Sequence, residues 1–305
     1  MIWFFIALIG PFLYALTNYI DKVLLEKYFK EGGVGTILLF SSLLSACALP
    51  FFLFIDPKVL DVDFTKIIVL VVVGVSNVLV LFFYLLAIRD EEASVVVVFY
   101  QLVPVIGSIL GYFILDEVLT QMQLMAMATI ILGTTIISFE IDIENKLKLR
   151  RKTILFMLCA SFFWAFGGVI FKMVALEENL WRSLFWEHVV LVLVGVGIFI
   201  FVRSYRNNFL LALRSNTKTV LLINGSNEVI YILGNVTVAY AYMLAPIGLV
   251  LLTESFQPIF VLIIGVVLTI FFPRIITEKI QRKHLLQKII AICITGIGTY
   301  LLFIS

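Results

Sequence analysis

Residues 12–22 read FLYALTNYIDK, and residues 162–172 read FFWAFGGVIFK. Phe12-Leu13-Tyr14-Ala15 is echoed 150 positions later by Phe162-Phe163-Trp164-Ala165. The same offset sets Asn18 against Gly168, Ile20 against Ile170 and Lys22 against Lys172. Further on, an offset of 154 sets Ala87 against Ala241 and Pro104 against Pro258. Each copy then closes with an acidic residue, a polar stretch and a glycine-bearing apolar run: Glu117 to Gly133, and Glu278 to Gly296. The second half restates the first.

What is repeated is apolar. Hydrophobic residues fill 62% of the 305 positions and charged ones 14%, against about 45–50% and about 25% in a soluble domain. A bilayer core about 30 Å thick needs about 20 apolar residues per helix. Runs of that kind occur at Ile2–Ile20, Val34–Ile55, Ile67–Ile88, Val95–Leu115, Leu124–Phe139, Ile154–Leu176, Leu184–Val202, Val220–Met243, Ile247–Phe272 and Leu285–Ile304. Lipid leaves no backbone group satisfied from outside, so each run must be helix. The expected fold is an all-α polytopic membrane protein of ten transmembrane helices. Five helices per copy is an odd number, so the second copy enters from the opposite face. The two five-helix repeats, 1–139 and 154–305, are therefore inverted around a central cavity, with 140–153 as a short charged linker.

All 22 Lys and Arg fall at the ends of runs or between them. Assigned to the nearest connection, 18 belong to the odd-numbered connections and four to the even-numbered ones. The positive-inside rule puts the odd connections, and with them the linker, in the cytoplasm and both termini outside. The membrane expected is the plasma membrane, meaning a bacterial or archaeal inner membrane. A net charge of +2 gives no ground for a nucleic-acid partner. The first run lacks a basic leader and an A-x-A cleavage site, so it reads as a span and not a signal peptide.

Acidic residues also keep to the ends, except Glu187, Glu228 and Glu254. The eighth run carries the densest constellation. Asn224, Glu228, Tyr231, Asn235 and Tyr242 follow at spacings of 4, 3, 4 and 7, which stacks them on one helical face. A polar stripe on so apolar a helix faces protein or water. The bland alternative is a set of interhelical hydrogen bonds worth ~0.6–2 kcal/mol each. An ionised carboxylate at mid-span costs roughly 2.5–3.5 kcal/mol on insertion scales. Glu228 and Glu254 are thus the candidates for proton coupling or for binding a substrate amine, against a plain role as protonated donors.

Gln257 shares a face with Glu254 and precedes Pro258. In the first half, Ser94, Gln101 and Ser108 recur every seven residues beside Tyr100 and Pro104, and Asn77 and Tyr84 share a face of the third run. Tyr14 and Asn18 mark the first run as Trp164 and Gly168 mark the sixth. Aromatic rings with polar tips suit a pocket for small amphipathic molecules, though a single ring more often packs or anchors at an interface.

Other features read as structural. Cys47, Cys159 and Cys293 lack CxxC or Cys/His pairing and look like small buried hydrophobes. Glu187-His188 has no second histidine at HExxH spacing and lies near Trp181 and Arg182, so an interfacial place is expected. His284 sits in a basic stretch, a cytoplasmic anchor. Lys22 and Lys172 are expected to snorkel to the interface, with gating pairs as the alternative. Gly107 and Gly111 form GxxxG, a sign of close helix packing.

The aromatic-Ala opening, the lysine at the helix end, and the fourth-run proline followed thirteen residues later by Glu117 resemble the drug/metabolite transporter superfamily, EamA type. The resemblance covers essentially the whole chain as two copies. It implies ten helices around a cavity and export or exchange of a small organic metabolite. In the second half twenty residues, not thirteen, separate Pro258 from Glu278, and Pro273 intervenes.

A secondary transporter working by alternating access is the reading these features favour, with a small-molecule substrate, the lipid bilayer as its surroundings and no cofactor or metal. No P-loop GxxxxGK[ST] occurs to use ATP. A channel is the alternative. A membrane-embedded enzyme is weaker, because two histidines near span ends supply neither a metal site nor a nucleophile–base pair.

Overall fold

The computed structural model describes residues 2–29, 33–90, 96–138, 151–215, 217–271 and 285–305. Ser94, most of the linker, Pro273, Glu278 and His284 lie outside the described residues. Among those described, every regular element is helical.

The first half contains α1 (Ile2–Val23), α2 (Gly33–Leu44), α3 (Leu49–Ile55), α4 (Phe64–Asp90), α5 (Leu102–Leu115) and α6 (Gln121–Ser138). The second contains α7 (Arg151–Glu177), α8 (Leu180–Phe201), α9 (Arg203–Ser215), α10 (Thr217–Tyr242), α11 (Ile247–Leu252), α12 (Gln257–Phe271) and α13 (Leu285–Ile304). Among the described residues, six stretches are long and apolar enough to cross a membrane: Ile2–Tyr28, Gly33–Ile55, Phe64–Arg89, Arg151–Glu177, Leu180–Phe201 and Ile247–Phe271. Shorter apolar helices occupy 99–115, 121–136 and 290–304. α10, the expected eighth span, is 26 residues long but carries the polar stripe and is not among the six.

Three of the expected spans are not continuous α-helices. Short 3₁₀ turns at Ser45–Ala48, Val97–Gln101 and Thr253–Phe256 interrupt them. Each precedes a proline: Pro50, Pro104 or Pro258. Proline brings no N–H to the carbonyl four residues back. Those carbonyls, of Ala46, Tyr100 and Glu254, are bonded instead by Leu49, Leu102 and Gln257. The tightened turn thus keeps the freed carbonyls satisfied inside an apolar bundle.

Helices pair across the halves. α1 packs on α10 and α4 on α7, while α2 lies on α8, α5 on α11 and α6 on α13. Glycines let several of these pairs approach. A side chain at Gly107 would meet Leu251 and one at Gly111 would meet Ile247, so the GxxxG pair serves α5–α11 contact within the chain. Gly133 abuts the backbone of Thr295 and Gly298 that of Ile130, across α6–α13. A side chain at Gly197 or Gly296 would meet open space.

α9 was expected as part of a connection. Its residues Phe209, Ala212 and Leu213 turn inward and Arg203, Asn207 and Arg214 outward, and amphipathic spacing of this kind forms a helix once a surface is offered. The Phe209 ring lies tilted against that of Phe40 of α2, with centroids 4.6 Å apart, and Tyr205 covers Gly35. Two cysteine expectations are also corrected: Cys47 and Cys293 are exposed on the bundle surface, and only Cys159 is partly buried.

Candidate functional site

The cross-half pairing leaves a cavity of about 120 Å³ lined by α1, α2, α4, α7, α8, α10, the start of α12, and Tyr100 in the turn before α5. Of the residues predicted from sequence, Tyr14, Asn18, Asn77, Tyr84, Tyr100, Trp164, Glu228, Tyr231, Asn235 and Gln257 line it. Tyr242, the last member of the stripe, does too.

One wall is a run of rings drawn from both halves. Tyr231 lies 5.7 Å from Tyr14, Tyr14 5.7 Å from Trp164, Trp164 4.7 Å from Tyr100 and Tyr100 6.4 Å from Tyr84. The Tyr84 hydroxyl donates to Asn18 Oδ1 at 2.8 Å, tying α4 to α1. Buried hydroxyls need such partners, and the pairing fixes the ring orientation.

Three carboxylates face the cavity: Asp21, Glu187 and Glu228. Each is buried and each is held by neutral donors. Glu228 accepts from Ser45 at 2.7 Å on Oε1 and from Ser41 on Oε2. Asp21 accepts from Asn227 Nδ2 at 2.7 Å. Glu187 Oε1 takes two amide donors, Asn77 Nδ2 at 2.7 Å and Asn235 Nδ2 at 3.0 Å. Those asparagines come from α4 and α10, one from each half. Among the described residues, no Lys, Arg or His lines the cavity.

Three predicted residues stand elsewhere. Asn224 is buried and donates to the Val220 carbonyl of its own helix at 2.8 Å. Gln101 joins the two interrupted helices: its Nε2 donates to the Ser255 carbonyl at 3.2 Å, and Thr134 donates to its Oε1 at 2.9 Å. Glu254 is fully buried in the turn before α12, does not line the cavity, and neither carboxylate oxygen has a partner in the structure. A 3₁₀ turn before proline shifts the helical phase, so a face counted at 3.6 residues per turn no longer holds across it. That is why the 254/257 pairing splits, Gln257 facing the cavity and Glu254 not.

Asp21, Glu187, Ser41, Ser45 and Asn227 were missed. Asp21 falls just past the end of the first apolar run, Ile2–Ile20, and so counts by sequence with the connection. Glu187 had been placed at the interface; it is seven residues into α8, about 10 Å along the axis, and buried. Its neighbour His188 is buried as well, with Nδ1 2.8 Å from the Leu184 carbonyl and its ring edge-on to Phe52.

Lys172 was expected to snorkel and does not. Buried at 5% exposure, it pairs with Glu117 Oε1 at 2.5 Å and donates to the Ala245 carbonyl at 2.6 Å. Glu117 Oε2 accepts the Ile247 N–H at 2.6 Å, at the start of α11. Asp116, in the left-handed region at φ 54°, ends α5, and Glu117 N–H returns to the Gly111 carbonyl at 3.2 Å. This helix-ending turn aims Glu117 at α7 and α11. Lys22 donates to the Ile88 carbonyl at 3.0 Å, so each lysine reaches the end region of the third long helix of its own half.

The helical bundle thus holds a carboxylate-lined cavity walled by both halves of the chain. One solved structure, titled "Crystal structure of protein", superposes with a TM-score of 0.57 over 95% of this chain and 95% of its own, at 13% identity, a likeness of fold alone. No curated protein matches the chain. Residues 1–139 match the EamA-like transporter family. That family belongs to the drug/metabolite transporter superfamily, so the first half of the chain is similar to membrane transporters of that type.

Proposed function

We propose that this protein is a secondary-active transporter that exports or exchanges a small organic molecule by alternating access at the cavity between its halves. The observation that carries the reading is the cavity itself: buried, walled by helices of both halves, and set with carboxylates that lipid would not tolerate. In this reading the chain forms ten spans as inverted repeats over 1–139 and 154–305. The pairing supports it, since exchanging the halves turns α1–α10 into α7–α4 and returns α2–α8 and α6–α13 to themselves. The linker and the other basic connections face the cytoplasm of a cell with both termini outside, by the 18-to-4 distribution of Lys and Arg.

Two sets of contacts would move in such a cycle. The Lys172–Glu117–Ile247 cluster closes one end of the bundle and must part when that end opens. Glu228, with Asp21 and Glu187 facing the same space, is the group we assign to proton coupling, because the serines that hold it are neutral and a proton can replace the counter-charge.

The test is counterflow. Purified protein is screened by thermal shift against amino acids, sugars, nucleosides and cationic drugs, and the stabilising solute is loaded into proteoliposomes. Saturable counterflow of labelled solute is the expected result. Non-saturating flux without counterflow would make the protein a channel, and chemical conversion of the solute would make it an enzyme.

A further inference from the structure

We propose that the solute is a protonated amine with an aromatic or apolar body, and that Glu187 binds its nitrogen. The proposal rests on the transporter reading and names the ligand class for the same cavity.

The lining is charged in one sense only. Asp21, Glu187 and Glu228 face the space, and no basic side chain among the described residues faces it with them. A buried carboxylate without a counter-charge is costly, and a cation supplies what neutral donors cannot. Glu187 is the best prepared of the three. Asn77 and Asn235 both bond its Oε1, which fixes the carboxylate between the halves and leaves Oε2 for a ligand. Asp21 lies next to Lys22 at the end of α1, and Glu228 has a serine on each oxygen.

Two further atoms point to a polar ligand group. Gln257 Oε1 and Asn18 Nδ2 belong to buried cavity-lining residues and have no hydrogen-bond partner in the structure. Burying such atoms unpaired is unfavourable. Gln257 Oε1 asks for an N–H or O–H donor, which an ammonium has and a quaternary nitrogen lacks. Asn18 Nδ2 asks for an acceptor on the same ligand.

The aromatic wall accounts for the body of the molecule. Asn235 is one turn from Tyr231 on α10, and Gly167, which faces Asn77, is one turn from Trp164 on α7. The clamped carboxylate and the rings of Tyr231, Tyr14 and Trp164 therefore border one space. Aromatic faces stabilise a nearby cation and cover an apolar group.

The test uses purified full-length protein in detergent and four probes of similar size: 2-phenylethylamine, its trimethylammonium analogue, 2-phenylethanol and 3-phenylpropionate. Binding is read by calorimetry. The amine is expected to bind at least tenfold more tightly than the alcohol and several-fold more tightly than the quaternary analogue, with the carboxylate weakest. Glu187→Gln should cut the preference of amine over alcohol to under threefold, with its thermal midpoint reporting that it folds. An alcohol or carboxylate that binds as well as the amine overturns the proposal. So does a quaternary analogue that equals the amine, or a folded Glu187→Gln that keeps the tenfold preference. If Glu187→Gln does not fold, the wild-type series decides alone. Absence of binding by all four also overturns the amine assignment while leaving the transporter reading, which rests on counterflow, untouched.

Discussion

Lys172 on α7, which is buried, and Glu117 just past α5, which is partly exposed, form an ion pair 2.5 Å apart that ties the second half of the chain to the first. Removing one partner of such a pair leaves the other charge uncompensated, at a cost of about 3 kcal/mol, whereas removing both is far milder. Lys172→Met and Glu117→Gln should each lower stability by that order, and the double variant should recover much of it. SDS-induced unfolding of the purified protein measures the cycle. A double variant as unstable as the two single losses combined would show that the residues act independently.

The α6–α13 contact depends on a missing side chain. A Cβ at Gly133 would lie against backbone atoms of Thr295 and Ala291, while one at Gly296 would meet nothing. Gly133→Ala is expected to destabilise by about 1–3 kcal/mol through overpacking. Gly296→Ala should be neutral or stabilise by up to about 1 kcal/mol, because alanine gives up less backbone freedom in a helix. Equal effects at the two positions would contradict the packing.

Outside the spans, Asp56 is held below the usual aspartate range, first by the Lys58 backbone N–H and then by the Arg182 guanidinium. A depressed pKa adds stability at pH values above the ordinary aspartate pKa, and this is lost as pH falls through the folded-state value. Asp56→Asn should cost of order 0.5 kcal/mol at pH 7, since the pair is partly solvated. The difference from wild type should shrink as pH falls below the ordinary aspartate range and vanish once pH is below the depressed value. Unfolding curves across pH 2–7 check this, and a constant difference down to pH 2 would remove Asp56 as the cause.

Glu228 is held by Ser41 and Ser45, hydroxyls that can turn to serve an amide as they serve a carboxylate. Glu228→Gln should therefore fold, lose transport driven by a pH gradient and keep solute exchange. Wild-type gradient-driven transport by this variant would leave Glu228 a structural acceptor only.

Much of this was legible in the sequence because the bilayer imposes few options: apolar runs must be helices, and polar stripes must turn inward. The repeat singles out Tyr14 and Trp164, and helical spacing singles out Glu228, Tyr231 and Asn235; all five line the cavity. Glu187 was missed because nearness to Trp181 and Arg182 along the chain outweighed its depth along the helix. Glu254 and Gln101 were misplaced for another reason: the 3₁₀ turns at Thr253–Phe256 and Val97–Gln101 rephase the helix faces. The partners of Lys172 needed coordinates, because Glu117 is 55 positions away in the chain and its aim depends on the left-handed turn at Asp116.

Alternating access at this cavity is tested most directly by labelling Asn235→Cys, in protein whose Cys47, Cys159 and Cys293 have been replaced, with an impermeant thiol reagent from each face of the membrane. Labelling from both faces is expected. Cysteines added at Glu117 and Lys172 and joined by a short reversible bifunctional thiol reagent should then abolish labelling of Asn235→Cys from one face, retain it from the other, and release the block on reduction. Undiminished labelling from both faces with the 117–172 link in place would contradict the account.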